Sequence, residues 1–254
     1  MTIRDDKGRE TLMEAGKRLA RILEAVGGRA IAGVSAEELD AVAELMIRDG
    51  GDTPAFLGYT PEKASRPYPA SLCVSINDEI VHGIPNESSK ILKTGDIVGL
   101  DLGLTHNGIV VDAAITVAIG AVSDESKKLM RATENALAAG IAAAMPGNHV
   151  GHISHAIQEV IESTGFTVVN ALGGHGVGDV VHEEPFIPNY GKKGEGVRLE
   201  EGMVLALEPI ASAGRGGVVL APDGYTYRTK DGSRSAHFEH TILIEKDGPR
   251  IITI

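Results

Sequence analysis

A single cysteine, Cys73, stands in a chain of 254 residues, so no internal disulfide can form and a reducing, cytoplasmic setting is expected. Basic residues are scarce, 24 Lys and Arg against 35 Asp and Glu, for a formal charge of −11. That deficit argues against a nucleic-acid-binding surface, which needs clustered cations. No apolar run approaches the length of a bilayer span, and the opening MTIRDDKGRE is charged rather than signal-like, so no membrane partner is expected. Low-complexity segments are missing as well. With 43% hydrophobic and 23% charged residues, the composition is that of a folded core rather than a disordered chain. The Asn86-Glu87-Ser88 sequon is then fortuitous, because glycosylation requires secretion. HExxH, GxSxG and GxxxxGK(S/T) motifs are all absent, which sets aside the zincin helix, the serine elbow and the phosphate loop.

What the chain does contain is an internal repeat. SLCVSINDEIVHGIP (71–85) aligns without gaps to ALGGHGVGDVVHEEP (171–185), matching Leu72/Leu172, Val81/Val181, His82/His182 and Pro85/Pro185. LKTGDIVGLD (92–101) aligns to LEEGMVLALE (199–208), which sets Asp101 against Glu208. One domain spanning 1–254 is expected, with halves of about 10–120 and 121–254 related by a pseudo-twofold axis that gathers histidines and carboxylates.

Helical spacing runs over 11–26, from Ser35 with a capping-box-like Ser35–Glu38, from Ser123 to about Met145, and through HISHAIQEVIESTG. Strand-like runs occupy 70–82, 96–104, 108–119, 166–170, 203–211, 217–229 and 237–253. Each half reads as helices followed by mainly antiparallel strands. The fold class is therefore α+β, with helices covering one face of a curved sheet.

Two strands flank the turn Thr105-His106-Asn107-Gly108, and Asn-Gly is a hairpin signal. Symmetric pairing about this turn sets Asp101 opposite Asp112 on a face of small residues, while Val98, Leu100, Leu102, Val111 and Ile115 form the apolar reverse. Two facing acids repel unless solvated, protonated or bridged by a cation. Glu208 and Glu239 stand in similar strands with apolar reverse faces, and four such acids point to metal. Among nine histidines, His175 lies in a run of glycines that leaves its ring unobstructed, and it reads as a metal ligand. His82 and His182 each precede a proline-terminated turn and suit proton donation or oxyanion stabilisation. Surface roles are expected for His106, His149, His152 and His155. Alternation about Glu239 is taken to send His237 and His240 to the opposite face, as structural histidines. Four carboxylates and one imidazole form a hard, oxygen-rich set for two divalent ions (Mn, Fe, Co or Zn), and such pairs hydrolyse esters, phosphates or peptides.

Asp101, Asp112, His175, Glu208 and Glu239, in SINDEIVHGIP, GGHGVGDVVHEEP, LALEP and FEHTI, resemble the methionine aminopeptidases of the compact type I form, within the M24 metallopeptidases. The resemblance implies the pita-bread fold, two pseudo-twofold-related halves with a curved, mainly antiparallel sheet under helices. It implies that Asp101 chelates one ion and His175 the other, that Asp112 and Glu239 bridge both, and that Glu208 joins the histidine-side ion. A metal-bridged hydroxide would attack the scissile carbonyl with Glu208 as general base. His182 would stabilise the oxyanion and His82 would assist the leaving group. The implied substrate is a nascent polypeptide beginning Met followed by a small residue, met by a monomer in transient association with the ribosome. Tyr59, Tyr68, Cys73 and Tyr225 fall where the family lines its methionine pocket. Phe56, Val181 and a Pro61–Arg66 insertion depart from the family pattern there. Two rival readings share the fold, an X-Pro peptidase of the prolidase and aminopeptidase P kind and a non-catalytic binding protein.

Overall fold

In the computed structural model, which describes every residue except Arg4, Glu62 and Lys63, Asn107 and Gly108 set the register on which the site depends. Both have positive φ, 48° and 84°, as a tight hairpin turn with a matching twist requires. They join strands Ile97–His106 and Ile109–Ala118, with His106 paired to Ile109. The expected facing of Asp101 and Asp112 is not observed. Asp101 pairs with Ala114 and Asp112 with Gly103, because the turn is centred one residue later than symmetry about Thr105–Gly108 assumes. This moves each acid two positions along its partner strand. An even shift keeps both on one face, so the two carboxylates are diagonal neighbours.

This hairpin is the middle of a nine-stranded sheet among the described residues, antiparallel at every pairing. From the hairpin the path runs through Glu239–Glu245, Val204–Leu207, Gly173–Gly176 and Glu183–Pro188. Leu72–Ile76 pairs on the other side of Ile97–His106. The last two strands on the main path were not anticipated, since their glycines and prolines disguise them. Their glycines are needed for close approach. A Cβ on Gly174 would lie 2.3 Å from the carbonyl oxygen of Ala206 on the neighbouring strand.

Among the described residues, four helices cover the sheet: α1 (Asp6–Arg29), α2 (Ala36–Asp49), α3 (Asp124–Ala143) and α4 (Val150–Ser163). Leu12, Leu19, Leu23 and Val26 of α1 share a buried cluster with Val98, Leu100, Leu102 and Val111. Leu129 and Leu137 of α3 and Ile153, Ile157 and Ile161 of α4 share a second with Leu205, Leu207, Ile242 and Ile244. The apolar faces read from the strands are thus the ones the helices cover. The expected capping box is present, with Ser35 Oγ accepting from the Glu38 N–H and the Glu38 carboxylate from that of Ser35. Asp40 of α2 accepts backbone N–H groups of Ser71 and Leu72 at 2.8 and 2.9 Å, fixing the start of the strand that carries Cys73. The expected Pro61–Arg66 insertion lies partly outside the described residues, at Glu62 and Lys63.

Candidate metal centre

Register places the acids before any side chain is considered. Cys73 pairs with Asp101, Asp101 with Ala114, and Ala114 with Glu239, a row crossing four strands on one face. Asp112 lies two residues before Ala114 and shares that face. His175 pairs with Ala206 and Ala206 with Thr241, a neighbouring row that brings the imidazole alongside Glu239. Glu208 follows directly on strand Val204–Leu207.

The ladder between Ile109–Ala118 and Glu239–Glu245 lasts only for Glu239↔Ala114 and His240↔Ala113. Beyond it on either side, threonine hydroxyls replace the missing strand-to-strand bonds. Thr241 Oγ1 accepts from the Asp112 N–H (3.0 Å) and donates to the Asp112 carbonyl (2.7 Å). Thr116 Oγ1 accepts from the His237 N–H (3.0 Å) and donates to the His237 carbonyl (2.6 Å). The strands carrying Asp112 and Glu239 are therefore clasped on both sides of the point where they diverge.

His175 Nε2 lies 3.4 Å from Glu208 Oε1 and 4.0 Å from Glu239 Oε1. Single donor atoms of Asp112, His175 and Glu239 all fall within 4.8 Å of one another. His175 Nδ1 is 2.9 Å from the Gly176 carbonyl oxygen, which can only accept. Nδ1 therefore carries the proton and Nε2 offers its lone pair to the centre, the usual orientation of a ligating imidazole. Asp101 Oδ1, Asp112 Oδ1 and Glu239 Oε1 are buried with no hydrogen-bond partner. Converging, desolvated and unpartnered oxygens are costly unless a cation takes them up, so this donor set fits divalent metal.

The electrostatics agree. Burial pushes Asp101 up to about 6. Burial, and then repulsion from the neighbouring acids, drives Asp112 and Glu239 well above the ordinary carboxylate range. Glu208 is different: burial would raise it, but His237, His175 and His182 outweigh that and bring it below its usual value. A carboxyl whose folded pKa is raised stabilises the fold below its unfolded pKa and loses that contribution as pH rises through the folded value. These acids therefore favour the metal-free fold at low pH and lose that contribution as pH rises from about 4 to beyond 6. His82 and His182, held low by burial, act with the opposite sign over the same range. Added Mn or Zn, which needs the acids ionised, should stabilise the protein more at pH 7 than at pH 4. Thermal melts across that range, with chelator and with metal, check this; a metal-induced rise in melting temperature no larger at pH 7 than at pH 4 would contradict uptake of metal by these acids.

The acids floor a cavity whose walls include Phe56, Tyr59, Tyr68, Cys73, His82, His182 and Tyr225. The Tyr68 hydroxyl donates to the Gly83 carbonyl (3.1 Å), and its ring meets Tyr225 edge-on with centroids 5.2 Å apart. On the other side of His82, His175, His182 and Glu208 a second groove opens between Leu172 and Phe186. The cluster of acids and histidines therefore lies between an aromatic pocket and a second groove. His82 has φ +57°, which a residue other than glycine adopts only when its surroundings enforce it.

A family model described as metallopeptidase family M24 matches residues 10–246. The chain belongs to family M24. It is 46% identical to a methionine aminopeptidase of Aquifex aeolicus, over 96% of this chain and 95% of that one. Against methionine aminopeptidase 1 of Mycobacterium tuberculosis it is 43% identical, over 96% and 92%. The crystal structure of methionine aminopeptidase from Thermotoga maritima superposes with a TM-score of 0.94 at 42% identity, covering 100% of this chain and 99% of that one. The prolidase of Pyrococcus horikoshii shares the fold at a TM-score of 0.77 and 21% identity, and the match covers 63% of that longer chain. The architecture is the α+β pita-bread fold of M24.

Within this M24 site the remaining histidines divide unevenly. His237 was expected on the far face and is not there. It is 3% exposed, with Nε2 3.4 Å from Glu208 Oε2 and 3.8 Å from Glu239 Oε2. Residues i and i+2 of an extended chain share a face, so the spacing of His237 and Glu239 carried the signal. His240 does point away, with Nδ1 2.9 Å from the Thr253 hydroxyl. His106 is not a free surface group. Its Nδ1 lies 2.7 Å from Oδ1 of buried Asp52, which Arg18 also contacts. His152 Nδ1 accepts the His149 backbone N–H at the start of α4, while His155 faces Glu159 at 3.8 Å. Val181 is buried in the same apolar cluster as the pocket residues Phe56, Tyr68, Cys73 and Tyr225. Thr116 and Thr241 were not anticipated either; alternating strands contain many threonines, and nothing in sequence marks these two.

Proposed function

We propose that Asp101, Asp112, His175, Glu208 and Glu239 hold two divalent ions, and that the site removes methionine from peptides whose second residue is small. Removal of N-terminal methionine follows from membership of M24 together with near-full-length identity to methionine aminopeptidases. The residue assignments rest on one observation: donor atoms of Asp112, His175 and Glu239 converge in a buried site where Asp101, Asp112 and Glu239 each hold an oxygen without a partner. When bound, the ions supply Lewis acidity and a water of lowered pKa. Iron, manganese, cobalt and zinc all suit this donor set.

The protein's own groups do the rest. Glu208, with its pKa brought down, is a carboxylate ready to accept a proton. Burial pulls His82 down to about 4, so it is a neutral imidazole and acts as a hydrogen-bonding partner for the scissile amide nitrogen. Desolvation, with the neighbouring His175 and His82, holds His182 low as well. A neutral His182 donates an N–H to the carbonyl oxygen as negative charge grows on it. Tyr59, Tyr68, Cys73 and Tyr225 receive the methionine side chain, and the open channel by Leu172 and Phe186 leads the remaining polypeptide away. The working context is a monomer in the cytoplasm, meeting nascent chains in transient association with the ribosome.

The test is to strip the protein of metal and assay it on Met-Ala-Ser and on an X-Pro peptide, adding back Mn, Co, Fe or Zn. Free methionine should appear only after metal is restored. Preferential cleavage of the X-Pro peptide would place the chain with the prolidases. Bound metal without cleavage of either would leave a binding protein.

A further inference from the structure

Tyr59 does more than line a pocket. Its hydroxyl lies 3.0 Å from Nδ1 of His182, with the two rings tilted by 48° and their centroids 5.4 Å apart. The backbone of Tyr59 is held independently of that contact. Its carbonyl accepts from the Tyr68 N–H at 2.8 Å, and its N–H donates to the Phe56 carbonyl at 2.9 Å. On the other side of the imidazole, the His175 ring meets His182 edge-on, with centroids 4.5 Å apart. The ring of His182 is thus flanked by a metal-side histidine and a pocket tyrosine.

A neutral imidazole carries one proton, on either nitrogen, and a neighbour on one nitrogen decides the other. A phenol is a better donor than acceptor, and imidazole nitrogen is a good acceptor. The described residues offer the Tyr59 hydroxyl no other partner than Nδ1 of His182. The O–H therefore donates to Nδ1, and the ring proton must sit on Nε2. In the opposite tautomer, Nε2 would present a lone pair to the carbonyl oxygen and repel it.

We propose that Tyr59 is a positioning residue that fixes His182 as the Nε2–H tautomer, so that the wall of the methionine pocket also prepares the oxyanion donor. The inference rests on the reading of His182 as that donor. It gives the pocket a second consequence: a ligand that displaces the Tyr59 hydroxyl would slow the chemical step even where methionine still fits.

The experiment uses Tyr59→Phe in the zinc-loaded enzyme, which keeps the ring and removes only the hydroxyl. On Met-Ala-Ser, KM should change by less than about twofold while kcat falls by about 10- to 100-fold, the range for losing a partner of a functional histidine. Imidazole ¹⁵N spectra should show His182 protonated at Nε2 in the parent and redistributed between its nitrogens in the variant. In a His182→Ala background the same change should cost almost nothing further, because the two residues act as one unit. A raised KM with unchanged kcat and an unchanged His182 spectrum would make Tyr59 a pocket wall only and overturn the proposal. Full activity of His182→Ala alone would instead sink the reading of His182 on which it rests.

Discussion

Replacing Asp112 with alanine should abolish metal retention and metal-dependent turnover together, while the chain still folds. The carboxylate is 3% exposed, its Oδ1 has no partner among the described residues, and one of its oxygens lies within 4.8 Å of donor atoms of both His175 and Glu239. Loss of turnover should reach at least about 10³-fold, equivalent to about 4 kcal/mol of transition-state stabilisation. The fold should persist because Thr241 grips the main chain of residue 112, which alanine retains. With one fewer acid in a repelling group, the metal-free variant should melt no lower than the metal-free parent. Metal content by elemental analysis, kcat/KM on Met-Ala-Ser and paired melts give the three readings. Near-parental turnover would show that the centre does not depend on this ligand and would undo the site assignment.

The His182→Ala variant should separate chemistry from metal binding. Its ring lies at the junction of the pocket and the second groove, against His175, with Nδ1 engaged by the Tyr59 hydroxyl. Metal content should match the parent. By the usual cost of removing an oxyanion donor, kcat should drop by about 10²- to 10³-fold. KM should move little, since methionine is gripped elsewhere. Because the imidazole acts while neutral, the parent's rate should show no loss on His182 deprotonation near neutral pH. If the variant bound metal poorly instead, His182 would be a ligand and its assignment as oxyanion donor would fall.

The sequence carried the site better than it carried the geometry between its parts. The five candidate ligands could be picked out because each acid had an apolar reverse face, because His175 stood in a run of glycines, and because two gap-free alignments paired the halves. The fold class followed from the same patterns. What escaped notice is physically specific. The placement of the hairpin turn required knowing that Asn107 and Gly108 both adopt positive φ, which symmetry of the segment does not reveal. Strands Gly173–Gly176 and Glu183–Pro188 were hidden because close main-chain approach there demands glycine, a residue that reads as a loop. His237 was misplaced by an error of parity, although its position two residues before Glu239 already contained the answer. The Tyr59–His182 contact joins residues 123 positions apart, and only the folded chain could bring them together.

The Asn107-Gly108 turn lies away from Asp101 and Asp112, yet it works as their gauge. Asp101 and Asp112 hang from opposite arms of one hairpin, so the reversal point determines how far each acid sits from the bend. Adding a single residue there would slide one arm past the other and send its whole alternating set to the wrong side of the sheet. A surface bend of this kind would ordinarily be free to grow or shrink among relatives. Here its length is constrained by chemistry performed several residues away, and a loop-length library at this bend should be far less permissive than its exposure suggests.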